Sequence, residues 1–248
     1  MTQAILLEVC VDHPASLSAA VRGGADRIEL CSALNAGGLT PSAGFMELAA
    51  VLHIPVHAMI RSRSGTFIYD ADELSVMESD IQTAKSAGLA GVVFGVTTED
   101  GTLDISALSR LMLAADGMDT TLHRAVDLCP DPLGAVEDAV QLGFDRILTS
   151  GGAETAEGGQ NTIADMVRIA NGRLTIMAGS GLKAENVGSV VKATGVSEVH
   201  ASCARSVPRN GKSDKLGFGS ARLTDDNQVR QMRQALDAIS DIPMDWTV

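Results

Sequence analysis

Along the chain, short runs of β-branched and aliphatic residues alternate with stretches whose apolar positions recur every three or four residues. Runs of the first kind lie at 4–10 (AILLEVC), 26–31 (DRIELC), 56–61 (VHAMIR), 91–95 (GVVFG), 120–125 (TTLHRA), 145–150 (DRILTS), 174–179 (LTIMAG) and 197–202 (SEVHAS), and read as strands. Stretches of the second kind lie at 14–24, 42–52, 71–88, 104–116, 131–143, 161–171, 183–195 and 225–240. They read as helices, several opening on a proline or capping residue and closing on glycine. The joint GGADRIEL at 23–30 returns as LGFDRILT at 142–149 and, more loosely, as TGVSEVHA at 194–201. Each is a helix end, a short link and a strand start, which is the αβ joint of a repeated unit.

Strand, helix and strand in regular succession predict parallel pairing through right-handed crossovers. Eight such units favour a closed barrel over an open doubly wound sheet, and 248 residues suit one (β/α)8 TIM barrel. The expected organisation is a single domain over 1–248, with a polar segment at 205–222 that covers the mouth or mediates oligomer contacts, and a closing helix at 225–240. Strand parity then assigns each side chain. Leu7, Val9, Ile28, Leu30, Val56, Ala58, Ile60, Leu122, Val199 and Ala201 face the helices. Glu8, Cys10, Arg27, Glu29, Cys31, His57, Arg61, His123, Glu198 and His200 face the barrel interior.

Composition narrows the class. A formal charge of −12 argues against a nucleic-acid surface, which needs clustered Lys and Arg to neutralise phosphates. No apolar run reaches the roughly 20 residues of a membrane-spanning helix, and the start lacks a basic stretch and a cleavage site. A cytoplasmic protein is expected. The four cysteines, Cys10, Cys31, Cys129 and Cys203, lie far apart without a CxxC pair, so they are expected as free thiols.

The inward ionisable groups carry the chemistry. Unpaired, they would cost several kcal/mol, so they must meet each other or a ligand. Cys10, Cys31, Arg61, His123 and His200 fall at the C-terminal strand ends, where barrels hold their active sites. Glu8, Glu29, His123 or Asp127 are candidates to move protons, and Arg61 to hold an anion; the alternative is a structural ion-pair network of Glu8, Glu29 and Arg61. His123 and Asp127 form either an acid/base pair or a local cap. The turn at Gly179, Ser180 and Gly181, running into a helix start, suits a phosphate or carboxylate, or is a tight βα turn. The glycine-rich loop 149–159 and the segment 61–70 read as lids. His13 and His53 read as surface or packing residues, and Cys129 and Cys203 as small buried ones.

The runs EVC, GGADRIELCSAL, GGLTPS, IPVHAMIRSRSGTFIY, LHRAVD, RILTSGG, IMAGSGL and EVHASCARS resemble the CutC family, the copper homeostasis proteins, in order and over nearly the whole chain. The resemblance implies a cytoplasmic, oligomeric TIM barrel, a homodimer or homotetramer, associated with copper handling. It also implies Cys10 and Cys31 as a Cu(I) site, in keeping with the preference of Cu(I) for soft thiolates; plain packing of two cysteines is the other reading. Two functions follow as expectations. One is copper binding; the other is an enzyme acting on a small anionic or phosphorylated metabolite at the barrel mouth.

Overall fold

The structure is a computed structural model that describes residues 4–207 and 221–240. Strands β1 (Leu6–Val11), β2 (Arg27–Leu30), β3 (Val56–Met59), β4 (Gly91–Phe94), β5 (Asp119–Leu122), β6 (Arg146–Thr149), β7 (Thr175–Gly179) and β8 (Glu198–Ala201) pair in parallel in sequence order. β8 returns to β1, with Leu7 opposite Val199 and Glu8 opposite His200. That ladder closes the barrel and removes the open sheet from consideration. Helices α1 (Pro14–Gly23), α2 (Ala43–Ala50), α3 (Ala71–Ala87), α4 (Ile105–Ala114), α5 (Pro132–Leu142), α6 (Gln160–Ala170) and α7 (Val187–Thr194) follow β1 to β7 in turn, making the chain a single-domain (β/α)8 barrel.

Local chemistry sets the helix ends. Asp70 and Glu73 form a capping box at the start of α3, and Asp131 caps α5 ahead of Pro132. His13 caps α1, its Nδ1 accepting the Ala15 N–H at 3.0 Å, so it has a structural task beyond surface packing. Gly24 and Gly143 close α1 and α5 in the left-handed conformation that other residues resist. The repeated joint then works the same way twice. Asp26 accepts the N–H of Leu7 at 2.8 Å and Asp145 that of Thr120 at 2.7 Å, each tying the new strand to its predecessor. The arginines that follow, Arg27 and Arg146, are both buried. The helix expected over 183–195 is shorter than its pattern suggests. Asn186 accepts the Lys183 N–H at 2.8 Å through Oδ1, which spends the first residues on a turn and delays α7 to Val187.

Leu7, Val9, Ile28, Leu30, Leu122 and Val199 are fully buried in the layer between barrel and helices. Each such side chain stabilises the fold by about 1.5–3 kcal/mol. After β8 comes an antiparallel ribbon of β9 (Ala204–Val207) and β10 (Ala221–Thr224), then α8 (Asp226–Ser240). α8 packs on α1 so closely that a Cβ on Gly23 would sit 2.4 Å from Val229 Cβ. Residues 208–220 of the segment expected to cover the mouth or mediate contacts lie outside the described residues.

Candidate metal centre

The barrel interior is charged at its centre. Arg27 Nε lies 2.5 Å from Glu8 Oε2 and its Nη2 pairs with Glu198. Arg146 Nε reaches the same Glu198 at 3.2 Å, and its Nη1 donates to Thr121 Oγ1 at 3.3 Å. Burial alone would raise Glu8, but the Arg27 guanidinium and then His200 hold its carboxyl well below the usual carboxylate range. The ion-pair network expected of Glu8, Glu29 and Arg61 forms around Glu8 alone, with Arg27 as its cation rather than Arg61 and Glu198 as its second carboxylate rather than Glu29. The reason is register: Glu8 sits opposite Arg27 in the β1–β2 ladder, whereas Arg61 lies beyond the end of β3.

One layer toward the mouth, Cys10 sits opposite Glu29, while His200 sits opposite Glu8 on the other flank of β1. One ligand atom from each of Cys10, Glu29 and His200 falls within 4.8 Å of the others. The imidazole is aimed by its neighbour: His200 Nδ1 lies 2.8 Å from Glu8 Oε1, leaving Nε2 to face Glu29 Oε2 at 3.8 Å. A carboxylate fixing one ring nitrogen while the other faces the centre is the usual support of a metal-binding histidine. Burial opposes protonation of His200, yet Cys10 and Glu29 beside the ring raise it well above its ordinary value. Burial also raises Glu29, the nearby Glu8 adding to the effect. Glu29 Oε1 is buried and has no hydrogen-bond partner.

Cys31 follows β2 and is fully buried. Its Sγ lies 3.4 Å from Glu29 Oε2, so it reaches the three-residue cluster through that carboxyl. Burial, then Glu29, push its thiol well above the ordinary value. It packs with Met59 under Gly38, where a Cβ would stand 3.2 Å from Cys31 Sγ and the φ is +84°. Burial raises Cys129 to about 11 and Cys203 to about 12, so neither is poised to react. A cavity of about 870 Å³ is lined by Cys10 and His200 together with Arg124, Ser180, Gly181, Lys183 and Arg222. Cys10 and His200 are therefore reachable from outside, with Glu29 buried behind them.

The thiol sulfur and imidazole nitrogen suit a soft or borderline ion such as Cu(I), with the harder carboxyl oxygen beside them. Metal–ligand bonds of roughly 2.0–2.3 Å need donors at most about 4.6 Å apart, so small side-chain rotations close this cluster on an ion. The unpartnered Glu29 Oε1 is a further sign of a missing partner.

Other residues singled out from the sequence are placed apart. The Arg61 guanidinium donates to the carbonyls of Ala36, Gly38 and Gly65 at 2.8–3.2 Å, and so holds loops. His123 and Asp127 form no pair. His123 Nδ1 accepts the Ala125 N–H at 3.2 Å as a local cap. Asp127 is occupied by Thr149 Oγ1 at 2.5 Å, the Ser150 and Gly152 N–H groups at 3.1 Å and Arg124 Nε at 2.7 Å. The 179–181 turn is knitted to the loop after β6: Ser180 Oγ donates to Glu154 O at 2.8 Å, and a Cβ on Gly181 would meet Thr155 at 2.8 Å. Arg27 and Arg146 occupy the same place in the DRI that opens two strands, and that repeat is the sequence signal that points to both.

The CutC family profile matches residues 5–205. The family protein CutC of Sinorhizobium medicae is 52% identical over 239 residues, covering 95% of this chain and 98% of the relative. That of Rhizobium meliloti is 52% identical over 237 residues, covering 94% and 97%. The crystal structure of the copper homeostasis protein CutC from Streptococcus agalactiae superposes with a TM-score of 0.77 at 35% identity, covering 80% of this chain and 98% of that one. With the family profile spanning most of the barrel and relatives at half identity along its length, this chain belongs to the CutC family.

Proposed function

We propose that the protein is a copper homeostasis factor that binds Cu(I) at the barrel mouth through Cys10 and His200, with Cys31 and Glu29 completing the set. The observation that carries this reading is the convergence of Cys10, Glu29 and His200 within 4.8 Å beside an open cavity. Glu8, held by Arg27, keeps the His200 ring turned so that Nε2 faces the ion. The Cys31 thiol donates to Glu29 Oε2 at 3.4 Å, a contact that would orient its sulfur beside a bound ion. Free thiols suit a reducing cytoplasm, where the protein works as a homodimer or homotetramer. The test is Cu(I) stoichiometry and affinity, measured by competition with a chromogenic chelator under reducing conditions. Wild type binds one equivalent, and the Cys10→Ser, Cys31→Ser double variant loses at least a hundredfold in affinity. Unchanged binding by the double variant removes the site.

A second reading is an enzyme acting on a small anionic metabolite. It is favoured by the three cations, Arg124, Lys183 and Arg222, that line the same cavity beside Ser180 and Gly181 in a chain of net charge −12. Phosphate or sulfate bound beside Gly179 and Gly181 in a crystal supports it; an open cavity holding only water under the same conditions does not.

A further inference from the structure

On the β3–β5 side of the mouth, apart from the Cys10 centre, the chain buries several hydrogen-bond donors that have nothing to bind. Arg61 is 6% exposed, and the bonds it makes go to three neutral carbonyls. Among the described residues no carboxylate pairs with it, and its Nε–H has no partner. His123 is 4% exposed. Because its Nδ1 accepts the Ala125 N–H, the ring proton resides on Nε2, and that atom too is buried without a partner. Ser62 Oγ and the Tyr69 hydroxyl, on the same segment as Arg61, are likewise buried with no hydrogen bond of good geometry, and Arg61 stands near enough to the Tyr69 hydroxyl to offset part of the rise that burial gives it. Phe67 binds the group together, its ring 4.8 Å from Arg61 Cζ and 4.7 Å from the His123 ring.

Native proteins leave few buried polar groups unpaired, and Arg61 Nε and His123 Nε2, on residues that both pack on the Phe67 ring, call for a common acceptor that the hydroxyls of the covering segment can share. A water molecule would satisfy some of the hydrogen bonds but leave the buried guanidinium charge uncompensated. An anion answers both. We propose that Arg61, Ser62, Tyr69 and His123 form a closed binding site for a small oxyanion, a carboxylate or phosphate, beneath the segment 61–70. Burial and Arg61 lower His123 to about 3, which keeps the ring a neutral donor at physiological pH. Arg63 is the latch of the cover. Its Nε pairs with Glu73 in the first turn of α3, its Nη2 donates to Ile68 O at 2.6 Å, and its guanidinium lies 5.1 Å over the Tyr69 ring. The site does not depend on the copper reading.

The test uses the full chain, titrated calorimetrically with inorganic phosphate, sulfate, acetate and glycerol 3-phosphate at constant ionic strength set with chloride. At least one oxyanion is expected to bind saturably and to raise the midpoint of thermal unfolding. Tyr69→Phe and Ser62→Ala each weaken it about fivefold to tenfold, and Arg61→Met abolishes it. Since Arg61→Met also releases three loop carbonyls, the decisive variant is Tyr69→Phe, which keeps its Cu(I) affinity and so separates this site from the metal centre. Tighter binding of glycerol 3-phosphate than of phosphate identifies the anionic head of a metabolite, and equal binding identifies the free ion; either supports the site. The proposal is overturned if no oxyanion binds better than chloride, if Tyr69→Phe binds as wild type does, or if a crystal grown in phosphate holds only water on Arg61 Nε and His123 Nε2.

Discussion

Glu8 and Glu29 differ by one layer of the barrel and should differ sharply in what they contribute. Glu8 is fully buried, with Oε2 2.5 Å from Arg27 Nε and Oε1 2.8 Å from His200 Nδ1. Glu8→Gln keeps the shape but removes the charge, and turns one acceptor into an NH2 aimed at a donor. Breaking a buried pair from one side costs about 3–5 kcal/mol, and because Arg27 retains Glu198 the lower end applies, about 3 kcal/mol. Against a total stability of roughly 5–15 kcal/mol, that is a large fraction. Burial pushes Glu29 toward its neutral form and one of its oxygens is unpartnered, so Glu29→Gln gives up less charge-dependent stabilisation than Glu8→Gln and should lose less than about 1 kcal/mol. Urea unfolding at pH 7, followed by far-ultraviolet circular dichroism, reads both, with the slope m held as a control on the denatured state. The sign with pH also follows. The Glu8 carboxyl is depressed, so its contribution is present above its ordinary value of 4.5 and fades as pH falls. Equal losses in the two variants, or a Glu8→Gln loss below about 1 kcal/mol, would refute the assignment of charge states.

His123 offers a pH test at a second position. Its ring has an ordinary value of 6.5 and is lowered to about 3 in the fold, so between these the unfolded chain binds the extra proton and wild type loses up to about 1.4 kcal/mol per pH unit as pH falls. His123→Asn should flatten that part of the stability curve, and parallel curves for the two proteins would dismiss the reading. Backbone packing gives a paired test. A Cβ on Gly159 would lie 1.9 Å from the Ser150 carbonyl oxygen, so Gly159→Ala should lose about 3 kcal/mol or more, whereas Gly44, in α2 with nothing within 4 Å, should gain about 0.5–1 kcal/mol as Ala. Thermal unfolding of both variants checks this, and a harmless Gly159→Ala would count against the close contact between the two ends of the loop after β6.

The barrel was legible because its signals are local and redundant. Strand runs, helix periods, capping residues and left-handed glycines each announce an element, and the repeated GxDR joint announces their order. Parity within a strand was enough to bring Glu8, Cys10, Glu29 and His200 inward, since side chains on a strand alternate strictly. Parity fails where the strand stops. Arg61 stands past Met59, on backbone that has left the sheet, and its carbonyl acceptors at 36, 38 and 65 belong to loops with no period to read. Asp127 stands four residues from His123, yet its carboxylate meets the loop after β6, a contact set by the neighbouring strand and invisible in the spacing. For Cys31, sequence placed it inward correctly but not its access to the cluster, which passes through Glu29.

The ligands of bound copper are the most direct test of the site. X-ray absorption at the copper edge, on wild-type protein loaded with one equivalent of Cu(I) under reductant, should show a mixed first shell: sulfur from cysteine together with nitrogen carrying the outer-shell scattering of an imidazole. Replacing His200 with Ala should remove the imidazole signature and leave the sulfur. A spectrum with sulfur alone, or protein that retains no stoichiometric copper after desalting, would contradict the claim that Cys10 and His200 meet at the mouth of this barrel to hold the ion.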